Sequence, residues 1–467
     1  MVFSSLFFLF LFLPLNLILY YSTKNKDLRN LILIFFSLIF YAWGEPIWVI
    51  LLVICAIVDY FNGIFICNNQ GKSIAKLGVI STFVFNIGLL LTFKYSDFFV
   101  ENANFIFGTA FKKPGFLLPV GISFYTFQTI SYTIDVYRGE VKAQKSFLKF
   151  LLFVSLYPEL VAGPIVRYAH VANEIENRNF SWRDFSTGVT RFSKGLFKKV
   201  VIANIAGSIA VQFLETDTQS MTLLGSWYGI ILYSIQIYFD FSGYSDMAIG
   251  LALMFGFHYH ENFKHPYISN SITDFWRRWH ISLGTFFKDY VYIPLGGNKK
   301  YQFRNIFIVW LLTGFWHGAS WNFVIWGLYF GFLLLLEKAF LGKILSKSFK
   351  PIQHIYTLLF IVIGWALFYY TDIHKLLEYL KILFYINKVE FFDIEFQSVF
   401  MENLNWFILA IFLCMPVYAY FQKGLIKYIK NEKFISSLNI SINLILFIIS
   451  VILLVGSTYN PFIYFRF

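Results

Sequence analysis

The sequence predicts an all-α polytopic membrane protein, and three observations carry that prediction. Of 467 residues, 58% are hydrophobic and only 14% are charged, fewer charges than a soluble chain of this size carries. The apolar residues gather into runs long enough, or nearly so, to cross a hydrocarbon layer of about 30 Å. Lys and Arg collect in alternate connections between the runs, as they do when basic loops stay on the cytoplasmic side.

The runs fall near 3–21, 30–43, 46–66, 77–94, 116–136, 196–214, 226–256, 305–318, 320–338, 354–370, 404–420 and 437–456, about 12 spans. The first lacks a basic leader, and Lys24, Lys26 and Arg29 follow it. It reads as a retained helix with its N-terminus outside. A further run, 147–165, is broken by Pro158, Gly163 and Pro164. It reads as a re-entrant segment, which needs protein or a cavity to cover its backbone.

With the N-terminus outside, loops 22–29, 68–76, 138–149, 166–195, 257–304, 339–353 and 421–434 fall inside, and each carries Lys or Arg. Loop 215–225 falls outside, with Glu215 and Asp217 but no basic residue; loop 371–403, mixed in sign, is also outside. The C-terminus is then outside as well. No internal repeat, linker or separate soluble segment is evident, so residues 1–467 read as a single transmembrane domain.

The net charge of +12 fits basic loops at a membrane rather than nucleic-acid binding, and some of these cations suit an anionic, phosphate-bearing donor. Cys55, Cys67 and Cys414 form no CxxC pair and read as inert buried thiols. Gly71-Lys72-Ser73 mimics a phosphate loop, but Ile66 stands where the first glycine belongs. His258, His260 and Glu261 share one short loop without further ligands, so no metal site is expected.

Four stretches could carry chemistry. Thr313-Gly-Phe-Trp316-His317-Gly-Ala-Ser-Trp321 places an imidazole within an apolar run, thirteen residues beyond Arg304. On a helix that is roughly 20 Å of rise, deep in the hydrocarbon layer. Ionisable groups at such depth mark pathways or reaction centres, the plain alternative being a packing histidine. Asp274-Phe-Trp-Arg277-Arg278-Trp-His280-Ile-Ser-Leu-Gly284 interleaves arginines with tryptophans on an inside loop. That pattern suits either interfacial anchoring or a diphosphate, and His280 is a second catalytic candidate. Tyr238-Phe-Asp240-Phe-Ser-Gly-Tyr-Ser-Asp246 interrupts a span with two carboxylates, which either orient a histidine, hold a proton, or bind helices together. Finally, Asn460-Pro-Phe462-Ile-Tyr464-Phe-Arg-Phe467 is an aromatic tail. A membrane-interface belt explains its rings but does not require the Tyr464 hydroxyl.

Taken together, the 240–246, 274–284 and 316–321 stretches resemble the membrane-bound O-acyltransferase family, of the type that O-acetylates alginate or peptidoglycan. The resemblance covers essentially the whole chain and is most specific over 240–326. It implies a ring of helices around a central funnel, with the catalytic core at about 115–340. A donor enters from the cytoplasm and an acceptor from outside. It matches the family's key histidine to His317 and its second polar position to His280. It also implies that Tyr464 can relay the acyl group, flanked by Phe462 and Phe467. Asp240, Asp246, Arg277, Arg278, Trp316 and Trp321 would then bind the donor or shape the site.

On this reading His317 is the general base that takes a proton from the attacking hydroxyl, and His280 positions the reactants or polarises the carbonyl. Acetyl-CoA is the simplest donor, and no bound cofactor is expected. With no exterior domain to grip a polysaccharide, an SGNH-hydrolase-like partner in the periplasm or outside the cell makes the final transfer. The location expected is the bacterial cytoplasmic (inner) membrane. The rival readings are a transporter of a lipid-linked sugar or small solute, and a lipid-linked glycosyltransferase. The first lacks paired broken repeats, the second a compact acidic pair in loop 371–403.

Overall fold

The structure is a computed structural model and describes residues 1–417, 420, 424, 431–457, 460, 462 and 463, the side chain of residue 432 excepted. The described residues form helices and connections, with no strand among them. Among the described residues, eight helices are long and apolar enough to cross a membrane: Lys26–Gly44, Trp48–Asn68, Ala75–Phe107, Trp182–Leu214, Trp321–Lys347, Lys350–Tyr369, Ile394–Leu413 and Lys433–Gly456. The four remaining expected runs are helical too. Phe8–Ser22 is short. Ile122–Arg138, Leu223–Met254 and Gln302–His317 are not among the eight, the first and last for want of length.

The chain divides into two compact units, Met1–Phe192 with Tyr244–His260, and Ser193–Gly243 with Glu261–Phe467. In the first, Asn25 opens the Lys26–Gly44 helix by accepting from the amides of Asp27 and Leu28, which would otherwise be unpaired at a helix start. The helix Ile122–Arg138 is buried nearly all round although it is rich in Ser, Thr, Gln and Asp. Its polar groups meet others. Asp59, fully buried on Trp48–Asn68, accepts from Thr82 Oγ1 and Asn86 Nδ2, both at 2.8 Å, and Thr129 Oγ1 donates to Asn86 at 3.4 Å. Hydrogen bonds of this kind hold helices together where lipid offers the backbone and side chains no partner.

The broken run takes the form its prolines demand. Phe147–Ser155 ends at Leu156, whose ψ of 112° leaves the helical region, and a single turn, Tyr157–Leu160, follows with Pro158 in its first turn. Every residue from 150 to 166 is buried, so the interrupted backbone is covered by protein.

Two connections hold more structure than hydropathy suggests. Loop 166–195 contains the helix Tyr168–Asn177 and the first half of a helix that runs 33 residues from Trp182 to Leu214. Residues 182–197 mix Arg, Asp and Lys with Trp and Phe, so they have no apolar run yet form an amphipathic helix. Loop 371–403 contains Ile373–Leu383, capped by Asp372.

In the second unit, aromatic side chains dominate the interior. Trp326, Trp365 and Phe330 are each no more than 1% exposed, and Phe275, Trp279, Trp276 and Phe368 pack against them.

Candidate functional site

The helix Gln302–His317 stops at the histidine. Gly318 is extended, with φ −168° and ψ 158°, and the next helix starts at Trp321. These two helices form a hairpin whose closeness depends on glycine. A Cβ on Gly327 would strike the carbonyl oxygen of Trp310 and lie 2.9 Å from the Cα of Gly314. A Cβ on Gly314 would in turn strike the carbonyl oxygen of Phe323. Small residues let helix backbones touch in this way, and here they fix where the His317 end of the hairpin lies.

His317 is half-buried and ringed by Trp316, Trp326 and Phe368, with centroids at 4.8, 4.9 and 5.2 Å. His280 lies 6.2 Å from the other end of this group, against Trp316. One indole thus contacts both histidines, which stand 37 positions apart in the sequence.

His280 is placed by a short, heavily braced segment. The helix Ile272–Arg278 begins at Ser271, whose hydroxyl accepts from the amide of Asp274 at 3.0 Å. Glu337 completes the cap, accepting from the amides of Ile272 (2.7 Å) and Thr273 (2.9 Å) and from the Thr273 hydroxyl. A carboxylate at a helix start satisfies unpaired donors and complements the helix dipole. The chain then turns sharply at His280, which has φ 45° and ψ 53°. A left-handed histidine is uncommon and must be held. Asn262 holds it: its carbonyl accepts from Ile281 N at 2.9 Å, and its Oδ1 from the amide and hydroxyl of Ser282 at 3.0 Å.

The His280 ring is 6% exposed, and its Nδ1 has no hydrogen-bond partner among the described residues. The same holds for the buried Nε1 atoms of Trp276, a half-buried ring, and of Trp326, a fully buried one, which pack on each other. Buried polar atoms are nearly always paired, so three unpaired ones in one cluster mark a place where a polar ligand can bind. Burial lowers the His280 pKa from 6.5 to about 4, keeping the imidazole neutral at neutral pH. Below about pH 6.5 an unfolded chain takes up a proton that folded His280 refuses until about pH 4. Stability therefore falls as the pH drops through that window. The thermal unfolding temperature of the purified protein should drop more steeply from pH 6.5 to 4 than that of His280→Asn, a residue that tolerates the left-handed turn. Parallel profiles would mean that His280 is already charged or solvated.

The other expected residues separate. Arg278 Nε donates to both oxygens of Asp274, at 3.0 and 3.1 Å, while Arg277 is exposed. Trp321 opens its helix and is 54% exposed. Asp240 is fully buried, 2.5 Å from Lys199 Nζ, and also accepts from the amide of Ile463 at 2.8 Å. Asp246 belongs to the first unit, where Arg191 donates to it at 2.9 and 3.0 Å. Tyr464 and Phe467 lie outside the described residues. Sequence reasoning missed Glu337, Asn262 and Lys199. Glu337 alone left a signal, as an acid at the end of a very apolar helix.

The comparisons fit this arrangement. The description of the membrane-bound O-acyltransferase family matches residues 140–380, which include both histidines. A probable alginate O-acetylase of Pseudomonas putida is 38% identical over the full length of both chains. A peptidoglycan O-acetyltransferase of Helicobacter pylori is 35% identical, covering 87% of this chain and 84% of its own. A teichoic acid D-alanyltransferase of Bacillus subtilis is 30% identical over 52% of this chain and 65% of its own. With the match spanning half the chain and the similarity spanning all of it, this multi-pass membrane protein belongs to the membrane-bound O-acyltransferase family and is an acyltransferase.

Proposed function

We propose that the chain is an O-acetyltransferase of the bacterial cytoplasmic membrane, taking acetyl from acetyl-CoA on the cytoplasmic side for O-acetylation of an envelope polysaccharide. The observation that carries this reading is the pairing of His280 and His317 across Trp316, in a cluster with three unpartnered buried nitrogens. A thioester carbonyl is electrophilic, but a hydroxyl attacks it slowly while it keeps its proton. His317 takes that proton as the oxygen bonds to the carbonyl carbon. The C–S bond then breaks, and the leaving thiolate recovers the proton from the imidazolium. His280, neutral at working pH, orients the donor by hydrogen bonding rather than by charge. The aromatic walls limit water, the competing acceptor.

The attacking hydroxyl in this reading belongs to Tyr464. An aryl ester there is reactive enough to hand acetyl to an SGNH-hydrolase-like partner across the membrane, which completes the transfer to the polymer. The relatives named for alginate and peptidoglycan O-acetylation support the choice of acyl group and acceptor class. Membranes containing the protein, given acetyl-labelled acetyl-CoA, should move label to protein or polysaccharide. Label that stays on the thioester, with a sugar or solute crossing the membrane instead, would establish the transporter reading.

A further inference from the structure

The Lys199–Asp240 ion pair lies within the second unit, and neither histidine needs it for the chemistry above. It is almost wholly enclosed, with side chains 5% and 1% exposed. Enclosing two charges is costly, and an ion pair rarely repays that cost by its own attraction. Such a pair calls for a further role, and its surroundings supply one.

Three features of the chain bring the pair together. The helix that carries Lys199 is π-helical over Lys198–Ala203, a local widening frequent at functional sites. Gly243, three residues after Asp240, lets the two helices touch. A Cβ there would lie 2.8 Å from the carbonyl oxygen of Gly195 and 3.1 Å from Lys199 N. The pair then closes to 2.5 Å.

What the pair meets is the C-terminal segment. Asp240 Oδ2 accepts the amide hydrogen of Ile463 at 2.8 Å. Lys199 Nζ lies 5.8 Å from the ring centroid of Phe462, within cation–π reach. Phe241, next to Asp240, packs on the same ring at 5.7 Å. Five residues beyond Lys199, Asn204 Nδ2 donates to Asn460 Oδ1 at 3.1 Å. Phe462 and Ile463 are 6% and 2% exposed, as deep as core residues. Neighbouring residues of two helices thus grip Asn460, Phe462 and Ile463 by a side-chain amide, a ring and a backbone N–H.

We infer that Lys199 and Asp240 are positioning residues that seat the C-terminal segment, with Asp240 reading the Ile463 backbone and Lys199 the Phe462 ring. The inference rests on the proposed relay for its purpose, because Ile463 is the residue bonded to Tyr464. The ion pair suits that task. A carboxylate paired with a lysine accepts an amide more strongly than a neutral acceptor does.

Hydrogen–deuterium exchange on the full-length protein in detergent tests the seat directly. In the wild type, the peptide that spans 457–467 should retain a slowly exchanging amide. In Lys199→Met/Asp240→Leu, which replaces the pair with apolar residues of similar size and leaves no buried charge unpaired, that amide should exchange at least tenfold faster. Peptides from the Trp321–Lys347 and Lys350–Tyr369 helices should be unchanged, showing that the protein is folded. Ile463→Pro, which removes the donated N–H together with the buried Ile side chain and fixes φ, should abolish polymer acetylation with the same core protection. Equal tail protection in the wild type and the double variant would overturn the seat. Tyr464→Phe separates it from the relay. Slow exchange with acetylation lost supports both, whereas slow exchange with full acetylation leaves the seat standing and removes the relay.

Discussion

His317→Ala should abolish transfer of acetyl from the thioester to the polymer while the protein accumulates in the membrane at its normal level. The loss of a general base typically slows a reaction by about 10²–10⁴-fold. The His317 ring also fills space between Trp316, Trp326 and Phe368, so alanine leaves a gap as well as removing the base. His317→Gln separates the two contributions, because it keeps most of the volume and a hydrogen-bonding amide but cannot accept the proton. Both variants should be inactive, and His317→Gln should unfold at a temperature close to that of the wild type. Near-normal acetylation in His317→Gln would remove the histidine from the chemistry. Failure of both variants to fold would make it a packing residue.

Gly327→Ala acts on the same step from a distance. The added methyl meets the carbonyl oxygen of Trp310 and the Cα of Gly314. Both are backbone atoms of a helix, so no side chain can rotate away, and the hairpin has to spread. Forcing a methyl into a full contact costs about 1–3 kcal/mol. The larger consequence is displacement, since His317 closes that helix three residues beyond Gly314. A misplacement of about 1 Å in a catalytic group can cost about 100-fold in rate. The expected result is kcat lowered on that scale with a folded protein in the membrane. Gly88→Ala, at a helical glycine with nothing within 4 Å of the added atom, is the matched control. Equal kcat values for the two variants would show that the hairpin contact does not position the histidine.

How much of this was legible in the sequence follows from what hydropathy and local patterns encode. The apolar runs became helices because lipid burial is recorded residue by residue. Residues 182–197 escaped notice because one face of that helix is charged, which cancels in an average along the chain. Both histidines were legible from their settings, a lone imidazole in an apolar run and another beside paired arginines. Their meeting across Trp316 was not, because ring contacts between distant segments leave no local trace. Asp240 and Asp246 read as one acidic patch, yet they are six residues apart on a helix. That offset turns them about 120° from each other. The structure accordingly gives them different partners, Lys199 and Arg191. Arg278 looked available for a diphosphate, but Asp274 sits one turn earlier and engages it.

The polar helix Ile122–Arg138 has a consequence for how the protein is made. Ser131 and Thr133 bond back to the helix's own carbonyls, and Thr129 reaches the neighbouring Asp59, Thr82 and Asn86 network. Alone in a bilayer the helix would expose to hydrocarbon those polar side chains, Asp135 and Gln128 among them, that its own backbone does not pair, at a cost for each group. During synthesis, Trp48–Asn68 and Ala75–Phe107 leave the ribosome first and can rest in lipid on their own apolar surfaces. Ile122–Arg138 then has a polar face to dock on as it emerges. Order of synthesis becomes order of assembly: the later helix enters the membrane by joining a pair already there, and a chain in which that pair has come apart would strand it at the insertion machinery.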